Sequence, residues 1–542
     1  MRKLIVASCL FLTTLTTLTA CKTPALPPAP GESVVVGAIA SASPEATEAG
    51  RRILAAGGNA IDAAIAVSLA LAVTEPAMSG LGGQTQMLLF SPLTDGVVIN
   101  GTSWSPSETP AAASKADLTG RRATTVPTTL KVLDYAYRKY ASGNLTWNEL
   151  IEPAIGYAEN GFELGPFRQK VLARHSEQLR KDEATGALFA TLEEGEPFRQ
   201  PTLAATLRRI AAEGAVGFYQ GDMARQIADD MEAHGGWIRY EDLAGLADPL
   251  ELAPLRTTYR GYDVLSLPPP GGGWLVARML EMLETFDPAA LAPNSVERPD
   301  ALARVLHVGH RERYRDPITE LSDYDEEIRN RFAEGESERL LNEEGGETTH
   351  FSIVDGDGMA VSVTASINAY FGARVAHPAL GFLYNDYMNE FEVDRPEHPF
   401  ALAANAMPYS SMSPTILARD GRARLVLGSP GSARIISAVT QVAQLWVDSG
   451  LGLAESVSYP RWHVDANGEL FVENPERDQQ AIERLRARGL SLREPAIDLA
   501  NEHGNPFFGG VHAVANDNGE WVAAADPRRD GSAVVVLRER PR

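Results

Sequence analysis

The sequence predicts a layered α+β fold, and three features of the 542-residue chain indicate it. The pattern from Val126 to about Leu255 is mainly helical, the sequence after Glu347 is rich in strand patterns, and two helices, 434–448 and 476–488, lie among those strands. Helices mixed with strands in this way favour stacked α and β layers over a bundle or a barrel.

The first elements have clear boundary signals. A strand is predicted over Val34–Ala40, followed by Ser43 as an N-cap and Pro44 at the first position of a helix that runs to Ala56. Gly57-Gly58 ends that helix. The next elements are a very apolar helix over 60–73, which we expect to be buried nearly all round, a tight loop over 78–84 and a strand over 87–90.

Later helices are predicted at 129–140, 147–160, 202–213, 221–234 and, after a proline- and glycine-rich turn, 274–285. The charged, glycine-containing stretch from Asp316 to Glu347 has little periodicity, so we expect an exposed connector. Further strands are predicted at Thr349–Val354, Ala360–Ala365, Phe382–Tyr384, Arg424–Leu427, Gly510–Ala515 and Ser532–Leu537.

The N-terminus has the pattern of an exported protein. Arg2-Lys3 precede a short apolar stretch, which predicts a signal peptide over residues 1–20. The end of this N-terminal segment, which finishes in Ala20-Cys21, resembles a bacterial lipobox. This resemblance predicts a lipid on Cys21 and a membrane-anchored protein facing the periplasm or the cell exterior. The alternative is an ordinary signal peptidase site beside an incidental cysteine. Residues 21–33 are proline-rich and predict an extended spacer.

Composition and missing motifs exclude several functions. The two cysteines both lie in the first 21 residues, and Cys9 would leave with the signal peptide, so no disulfide is expected within the mature chain. A net charge of -22 argues against a general nucleic-acid binder. The sequence contains no serine-hydrolase elbow, zinc-protease helix or phosphate-binding loop, and it implies neither a cofactor nor a metal.

The junction between Glu347 and Thr348 offers a specific chemistry. A hairpin turn at 355–358 would place Thr348 opposite Ala365 or Ser366, so that hydroxyl and amide side chains gather directly after the connector. Attack of the Thr348 hydroxyl on the Glu347 carbonyl would cut the chain and free the Thr348 α-amine. One residue would then carry both nucleophile and base. A threonine pair that simply opens a surface strand is the alternative.

The sequence from Thr348 to Ser352, with Asp355, Gly358 and Asn368, resembles the start of the small subunit of γ-glutamyltransferases. Other similar stretches follow in the family's order from about Gly37 to Arg528: 48–50, 57–64, 75–76, 79–83, 259–262, 268–270, 410–415, 428–431 with Arg434, and 526–528. The resemblance implies a four-layer αββα N-terminal nucleophile hydrolase fold, with a large subunit over 34–347 and a small catalytic subunit over 348–542.

The resemblance also implies a role for individual residues. Thr348 matches the nucleophile, and Ser366 matches its supporting hydroxyl residue. The implied substrate-binding residues are Asn368, Tyr387, Glu390, Ser410 and Ser411, and Gly431 with Ser432 takes the oxyanion position usually held by two glycines. Because backbone N–H groups suffice as donors, Ser432 need not abolish that role. His350 is expected to be structural.

The chain departs from the family at the glutamyl pocket. Pro106 takes the place of an arginine that pairs with the substrate α-carboxylate, and Glu390 stands where an aspartate holds the α-amino group. Tyr387 replaces a common glutamine, and the segment from Phe391 to Ser410 is short for a lid. Arg374 is a candidate substitute cation.

Three functions remain in competition. The leading one is transfer of a γ-glutamyl or related acyl group from a glutathione-type amide to water or an acceptor amine. The second is an acylase of the same mechanism with a non-glutamyl acyl donor, as in the related cephalosporin acylases. The third is an uncleaved, non-catalytic surface lipoprotein.

Overall fold

A computed structural model describes residues 33–189, 195–315, 346–495 and 499–539. The predicted signal peptide, Cys21 and the spacer up to residue 32 lie outside these ranges, as does the predicted connector from 316 to 345. Within the described ranges, none of the helices combines the length and the apolar character needed to cross a bilayer.

The helices are numbered here in chain order. They are α1 (Pro44–Ala55), α2 (Ala60–Thr74), α3 (Thr129–Tyr140), α4 (Trp147–Asn160), α5 (Pro166–Leu179), α6 (Glu183–Phe189), α7 (Pro201–Glu213), α8 (Ala215–Gln220), α9 (Asp222–Ala233), α10 (Tyr240–Ala244), α11 (Gly273–Glu284), α12 (Arg298–Arg315), α13 (Arg434–Asp448), α14 (Leu453–Ser458) and α15 (Gln479–Ala487).

The strands are β1 (Ser33–Ser41), β2 (Gln84–Ser91), β3 (Thr94–Gly101), β4 (Leu250–Leu252), β5 (Leu255–Tyr259), β6 (Tyr262–Ser266), β7 (Gly346–Asp355), β8 (Ala360–Ala369), β9 (Thr415–Arg419), β10 (Arg422–Gly428), β11 (Trp462–Val464), β12 (Glu469–Val472), β13 (Ser491–Leu492), β14 (His512–Asp517), β15 (Glu520–Ala525) and β16 (Ser532–Glu539).

Two large antiparallel sheets form the centre of the molecule. One has the strand order β16-β1-β7-β8-β2-β3-β4, and the other has the order β15-β14-β10-β9-β6-β5. Strands from before and after the Glu347–Thr348 junction alternate in the first sheet, and in the second sheet they meet at the pair of β6 with β9. The strands β11, β12 and β13 form a separate small sheet.

Successive side chains of a strand point to opposite faces of its sheet, and this alternation gives each sheet two different neighbouring layers. In β7, Ile353 faces the helical core that contains α2, whereas Val354 faces the second sheet. In β10, Val426 faces the first sheet, and Leu425 and Leu427 face the helical core that contains α11 and α13. The order helix, sheet, sheet, helix is the four-layer αββα arrangement, so the predicted fold is confirmed.

Local sequence explains the first two helices. The Ser43 hydroxyl accepts a hydrogen bond from the Ala46 N–H at 3.2 Å, and Pro44 occupies the first turn, as predicted. Asn59 caps α2, and every residue of α2 is buried because this helix packs against α1, α4 and the first sheet. The apolar composition of α2 is thus matched by its position.

The segment Phe382–Tyr384 was wrongly predicted as a strand. Its residues make only isolated bridges, between Leu383 and Ala376 and between Tyr384 and Gly82. The run is apolar because its side chains are buried in the helical core beside α9 and the first sheet. Short apolar runs do not distinguish such packing from strand pairing.

The hairpin of β5 and β6 was not predicted. It lies at the end of a mainly helical region, and its two-residue turn is formed by Arg260 and Gly261, both with positive φ (49° and 77°). A turn of this kind twists in the sense that paired strands need. The glycine at the second turn position was the available signal.

Candidate active site

The hairpin of β7 and β8 places the predicted nucleophile at an irregularity in the first sheet. Residue pairs are in register from Val354–Ala360 to Thr349–Ala365, and the pairing then shifts to Glu347–Asn368. Two residues of β8, including Ser366, therefore oppose the single residue Thr348. Bulges of this type redirect side chains and occur often beside active sites. The predicted approach of Thr348 and Ser366 agrees with this register.

Glu347 is buried, which corrects its assignment to an exposed connector. It is the second residue of β7, and only 4% of its surface is exposed. Its main-chain carbonyl accepts a hydrogen bond of 2.7 Å from the Ser366 hydroxyl. Its carboxylate accepts a hydrogen bond of 2.7 Å from Arg529. Acidic composition indicated solvent exposure, but an arginine 182 positions later in the chain reverses that preference.

Seven of the predicted site residues line one pocket. These residues and their two apolar neighbours are Thr348, Asn368, Tyr387, Glu390, Ser410, Ser411, Ser432, Met412 and Ile435. Ser366 lies opposite Thr348 on β8, and Gly431 precedes Ser432 in the chain. The structure thus brings together residues that come from β7, β8, a short 3-10 helix over Tyr387–Glu390, the 410–414 segment and the start of α13.

Asn368 has a backbone conformation that suits a site residue. Its φ is +75°, in the left-handed region, which asparagine tolerates better than most residues. Its N–H donates to the Ser366 hydroxyl at 2.7 Å, and its side-chain amide donates to the Asp386 carbonyl at 3.4 Å. Asp386 is itself a buried acid that was not predicted. Burial raises its pKa to about 6, although the Ala369 N–H, which donates to its carboxylate, opposes the shift.

The loop from β10 into α13 carries the predicted oxyanion position. Gly431 has φ +122° and Ser432 has φ +54°, two residues before α13 begins. Within the described residues, no hydrogen-bond acceptor is recorded for the N–H of Gly431 or of Ser432. Free N–H groups at a helix start can stabilise a developing negative charge. Glycine adopts such a φ without strain, so Ser432 holds this conformation at some cost.

No lysine or arginine is among the described residues that line this pocket. Pro106 is buried, and Arg374, the candidate substitute, is exposed and is not a lining residue. Lys115 contributes a positive charge beside Glu390, and its ammonium donates to the Phe391 carbonyl at 3.1 Å. Lys115 was not predicted, because nothing in its local sequence relates it to a residue 275 positions later.

Charged and polar groups also lie behind the nucleophile. The Thr349 hydroxyl donates to the buried carboxyl of Glu75 at 2.5 Å. Burial raises the pKa of Glu75 to about 7, and this hydrogen bond together with Arg529 and Arg168 opposes the rise. His350 is fully buried with Thr364 and Ser352 as hydrogen-bond partners, and burial holds its pKa well below the usual range. A neutral, enclosed histidine agrees with the expected structural role.

Among the described residues, no group of three or more histidine, cysteine, aspartate or glutamate side chains is arranged to hold a metal ion.

A family model described as Gamma-glutamyltranspeptidase matches residues 46–536. The chain belongs to the γ-glutamyltranspeptidase family. It is an enzyme of that family, and the resemblance inferred from the sequence motifs is confirmed.

Individual relatives extend over nearly the whole chain. The glutathione hydrolase proenzyme of Pseudomonas sp. (strain A14) is 34% identical, over 91% of this chain and 93% of the relative. The acylase ACY 1 proenzyme of Pseudomonas sp. (strain V22) is 33% identical, over 92% of this chain and 93% of the relative. The crystal structure of cephalosporin acylase from Bacillus halodurans superposes with a TM-score of 0.83 at 26% identity, over 96% and 99%. The chain is thus similar both to proteins named glutathione hydrolase and to proteins named acylase.

Proposed function

We propose that the chain cuts itself between Glu347 and Thr348 and then transfers a γ-glutamyl group from a glutathione-type amide to water or to an acceptor amine. The fragments would be 21–347 and 348–542. The observation that carries this proposal is the position of Thr348, opposite Ser366, whose hydroxyl already donates to the carbonyl on the other side of the bond to be cut.

The first reaction is an N-to-O acyl shift. The Thr348 Oγ attacks the Glu347 carbonyl carbon, the peptide C–N bond breaks, and the nitrogen takes up a proton. The hydrogen bond from Ser366 withdraws electrons from that carbonyl and so favours attack. Water then hydrolyses the ester, which leaves a carboxylate on Glu347 and a free α-amine on Thr348.

The second reaction uses that amine as the base. An α-amine has an ordinary pKa of about 7.7–8.0, close to ambient pH, where a general base is most effective. It accepts the Thr348 hydroxyl proton while Oγ attacks the substrate carbonyl. In this proposal the N–H groups of Gly431 and Ser432 stabilise the oxyanion. The amine product leaves with a proton, and water or an acceptor amine attacks the acyl-Thr348 ester.

Two groups in the pocket support a γ-glutamyl donor. Glu390 supplies a negative charge for the α-amino group, and Ser410 with Ser411 supplies hydroxyls for the carboxylate. The name of the Pseudomonas relative, glutathione hydrolase, favours the same donor.

An acylase with a non-glutamyl donor is the second candidate. The specific observation in its favour is the absence of lysine and arginine among the described lining residues, since a γ-glutamyl donor carries a carboxylate. The fold match to a cephalosporin acylase points the same way.

Three amides of p-nitroaniline separate the two candidates. The glutaryl amide lacks only the α-amino group of the γ-glutamyl amide, and a phenylacetyl amide tests a bulky acyl group. We expect kcat/KM to be highest for the γ-glutamyl amide, with a loss of about ten- to a hundredfold for the glutaryl amide, because a charge-assisted hydrogen bond contributes about 1.5–3 kcal/mol. A glutaryl or phenylacetyl amide that reacts faster would favour the acylase instead.

The N-terminus supports a further proposal, that Cys21 carries a lipid and holds the enzyme on a membrane outside the cytoplasm. The sequence that ends in Ala20-Cys21, followed by the proline-rich stretch, supports it. Metabolic labelling with a fatty acid should label the wild-type protein and fail for Cys21→Ser. Cys9→Ser is the matched control and should remain labelled. Label that persists in Cys21→Ser would exclude the anchor.

A further inference from the structure

The carboxylate of Glu347 lies in a closed site made by two arginines. Its Oε2 accepts a hydrogen bond of 2.7 Å from Arg529, and its Oε1 lies 3.5 Å from the Arg434 guanidinium. The exposed fraction of the side chain is 5% for Glu347, 1% for Arg529 and 8% for Arg434. The Tyr370 hydroxyl also faces the carboxylate. The residue on the acyl side of the bond to be cut is therefore held at both ends, by Ser366 at its carbonyl and by arginines at its side chain.

The two arginines are fixed by other parts of the chain. The Arg434 Nε donates to the Phe507 carbonyl at 2.8 Å, and its guanidinium lies 4.5 Å from the centre of the Phe507 ring. The Arg529 guanidinium lies 4.9 Å from the centre of the Phe167 ring. Its Nε and Nη1 are buried and have no hydrogen-bond partner among the described residues. Arg529 thus has donors that Glu347 does not occupy, so the hydrogen-bonding capacity of this arginine is not saturated by the ion pair.

A buried ion pair is weak evidence for stability, because desolvation offsets much of the attraction, and its best-attested effect is to fix geometry. Here the ion pair would fix the bulge at Thr348. The residue pair just before the bulge is Glu347–Asn368, and Glu347 is only the second residue of β7. The ends of strands are poorly ordered unless other contacts hold them. The arginines tie this end down through the side chain of Glu347.

We propose that Arg434 and Arg529 form a carboxylate-binding site for residue 347, which positions the Glu347 carbonyl against Ser366 and makes self-cleavage depend on an acidic residue at that position. The proposal rests on the proposed cut between Glu347 and Thr348. The side chains of Glu347, Arg434 and Arg529 are positioning groups here, because they act through the main-chain carbonyl of Glu347 rather than on the attacking oxygen.

The chemistry of residue 347 fits the donor class. In a glutamate residue, three carbons (Cα, Cβ and Cγ) separate the main-chain carbonyl from the side-chain carboxylate. The same number of carbons separates the reacting carbonyl from the carboxylate in γ-glutamyl and glutaryl groups. The first acyl group that Thr348 attacks is therefore itself a substituted glutaryl group. Aspartate would retain the charge with one methylene fewer.

The test is the rate of self-cleavage of the full-length chain after cell-free synthesis, followed by pulse labelling and denaturing gels, with the new N-terminus sequenced. Glu347→Gln should slow the cut by about ten- to a hundredfold, as expected for the loss of charge-assisted hydrogen bonds. Arg529→Gln should slow it further, because it leaves the Glu347 carboxylate buried with less compensation. Combining the two should restore part of the rate that Arg529→Gln loses, since the double variant has neither the undercompensated Glu347 carboxylate nor an Arg529 guanidinium without it.

Asp230→Asn is the matched control. Asp230 is a buried carboxylate held by Arg121 through two hydrogen bonds of 2.7 and 2.8 Å, and among the residues that the structure describes no hydrogen bond or ion pair joins it to Glu347 or Thr348. It should cut within about threefold of the wild-type rate. Thermal unfolding of each variant in an uncut Thr348→Ala background checks that the variants fold.

The outcomes separate this proposal from the proposed function. Wild-type and Glu347→Gln chains that cut equally fast would overturn the carboxylate site and leave self-cleavage standing. A double variant whose loss is the product of the two single losses would also overturn it, because the groups would then act independently. A wild-type chain that never cuts would refute the proposed cleavage and, with it, this proposal.

Discussion

The Thr348→Ala variant should remain a single uncut chain and lose amidase activity by more than about 10⁴-fold in kcat/KM. Alanine removes the nucleophilic oxygen and also prevents the cut that would free the α-amine, so both reactions lose their essential group. A denaturing gel measures the first effect, and hydrolysis of γ-glutamyl p-nitroanilide measures the second.

Thr348→Ser is the control for this prediction, because serine keeps the hydroxyl and should still cut and turn over, more slowly. Thermal unfolding should show that Thr348→Ala is folded. If Thr348→Ala were still cut before residue 348, Thr348 would not be the self-cleaving nucleophile.

A donor that lacks the α-carboxylate should lose less than about tenfold in kcat/KM relative to the γ-glutamyl amide. The described lining residues include Glu390 but no lysine or arginine, so the carboxylate has only hydroxyl and amide partners, whereas the amine has a charged one. The 4-aminobutyryl amide of p-nitroaniline is the γ-glutamyl amide without this carboxylate, and the two compounds are compared on the processed enzyme.

The same pair of donors is then measured on Pro106→Arg, which should raise the preference for the carboxylate-bearing donor by about tenfold, the contribution of one charge-assisted hydrogen bond. Pro110→Arg places the same charge at an exposed position of the same loop and should leave the ratio unchanged. If the wild-type enzyme already rejects the carboxylate-free donor more than about a thousandfold, a cation outside the lining residues, such as Lys115 or Arg374, recognises the carboxylate.

The sequence predicts the hairpin at the active site well, because two local signals agree there. The turn at 355–358 and the alternating pattern on each side determine the register to within one residue, and α3, α4 and α13 were likewise predicted with their exact bounds. The motifs then supplied seven residues that line one pocket.

The sequence-based predictions fail where residues far apart in the chain determine the burial or the ion-pair partner of a side chain. The acidic run before Thr348 has the composition of a solvated connector, yet Glu347 is buried because Arg434 and Arg529 meet it from later segments. Lys115 lies beside Glu390 for a similar reason. Such pairings depend on tertiary structure and leave no periodicity in the local sequence, so neither propensity nor patterning predicts them.

Interleaving of strands has a consequence for the molecularity of unfolding. After the proposed cut, β1 of the first fragment lies between β16 and the 352–355 part of β7, both in the second fragment, and β6 of the first pairs with β9 of the second. The fragments therefore cannot separate without losing pairing in both sheets. The precursor unfolds as one chain, whereas the processed enzyme would unfold into two, so its melting temperature should rise with protein concentration. Refolding would then require two fragments to associate. The lifetime of the processed enzyme would therefore depend on slow unfolding rather than on reversible folding.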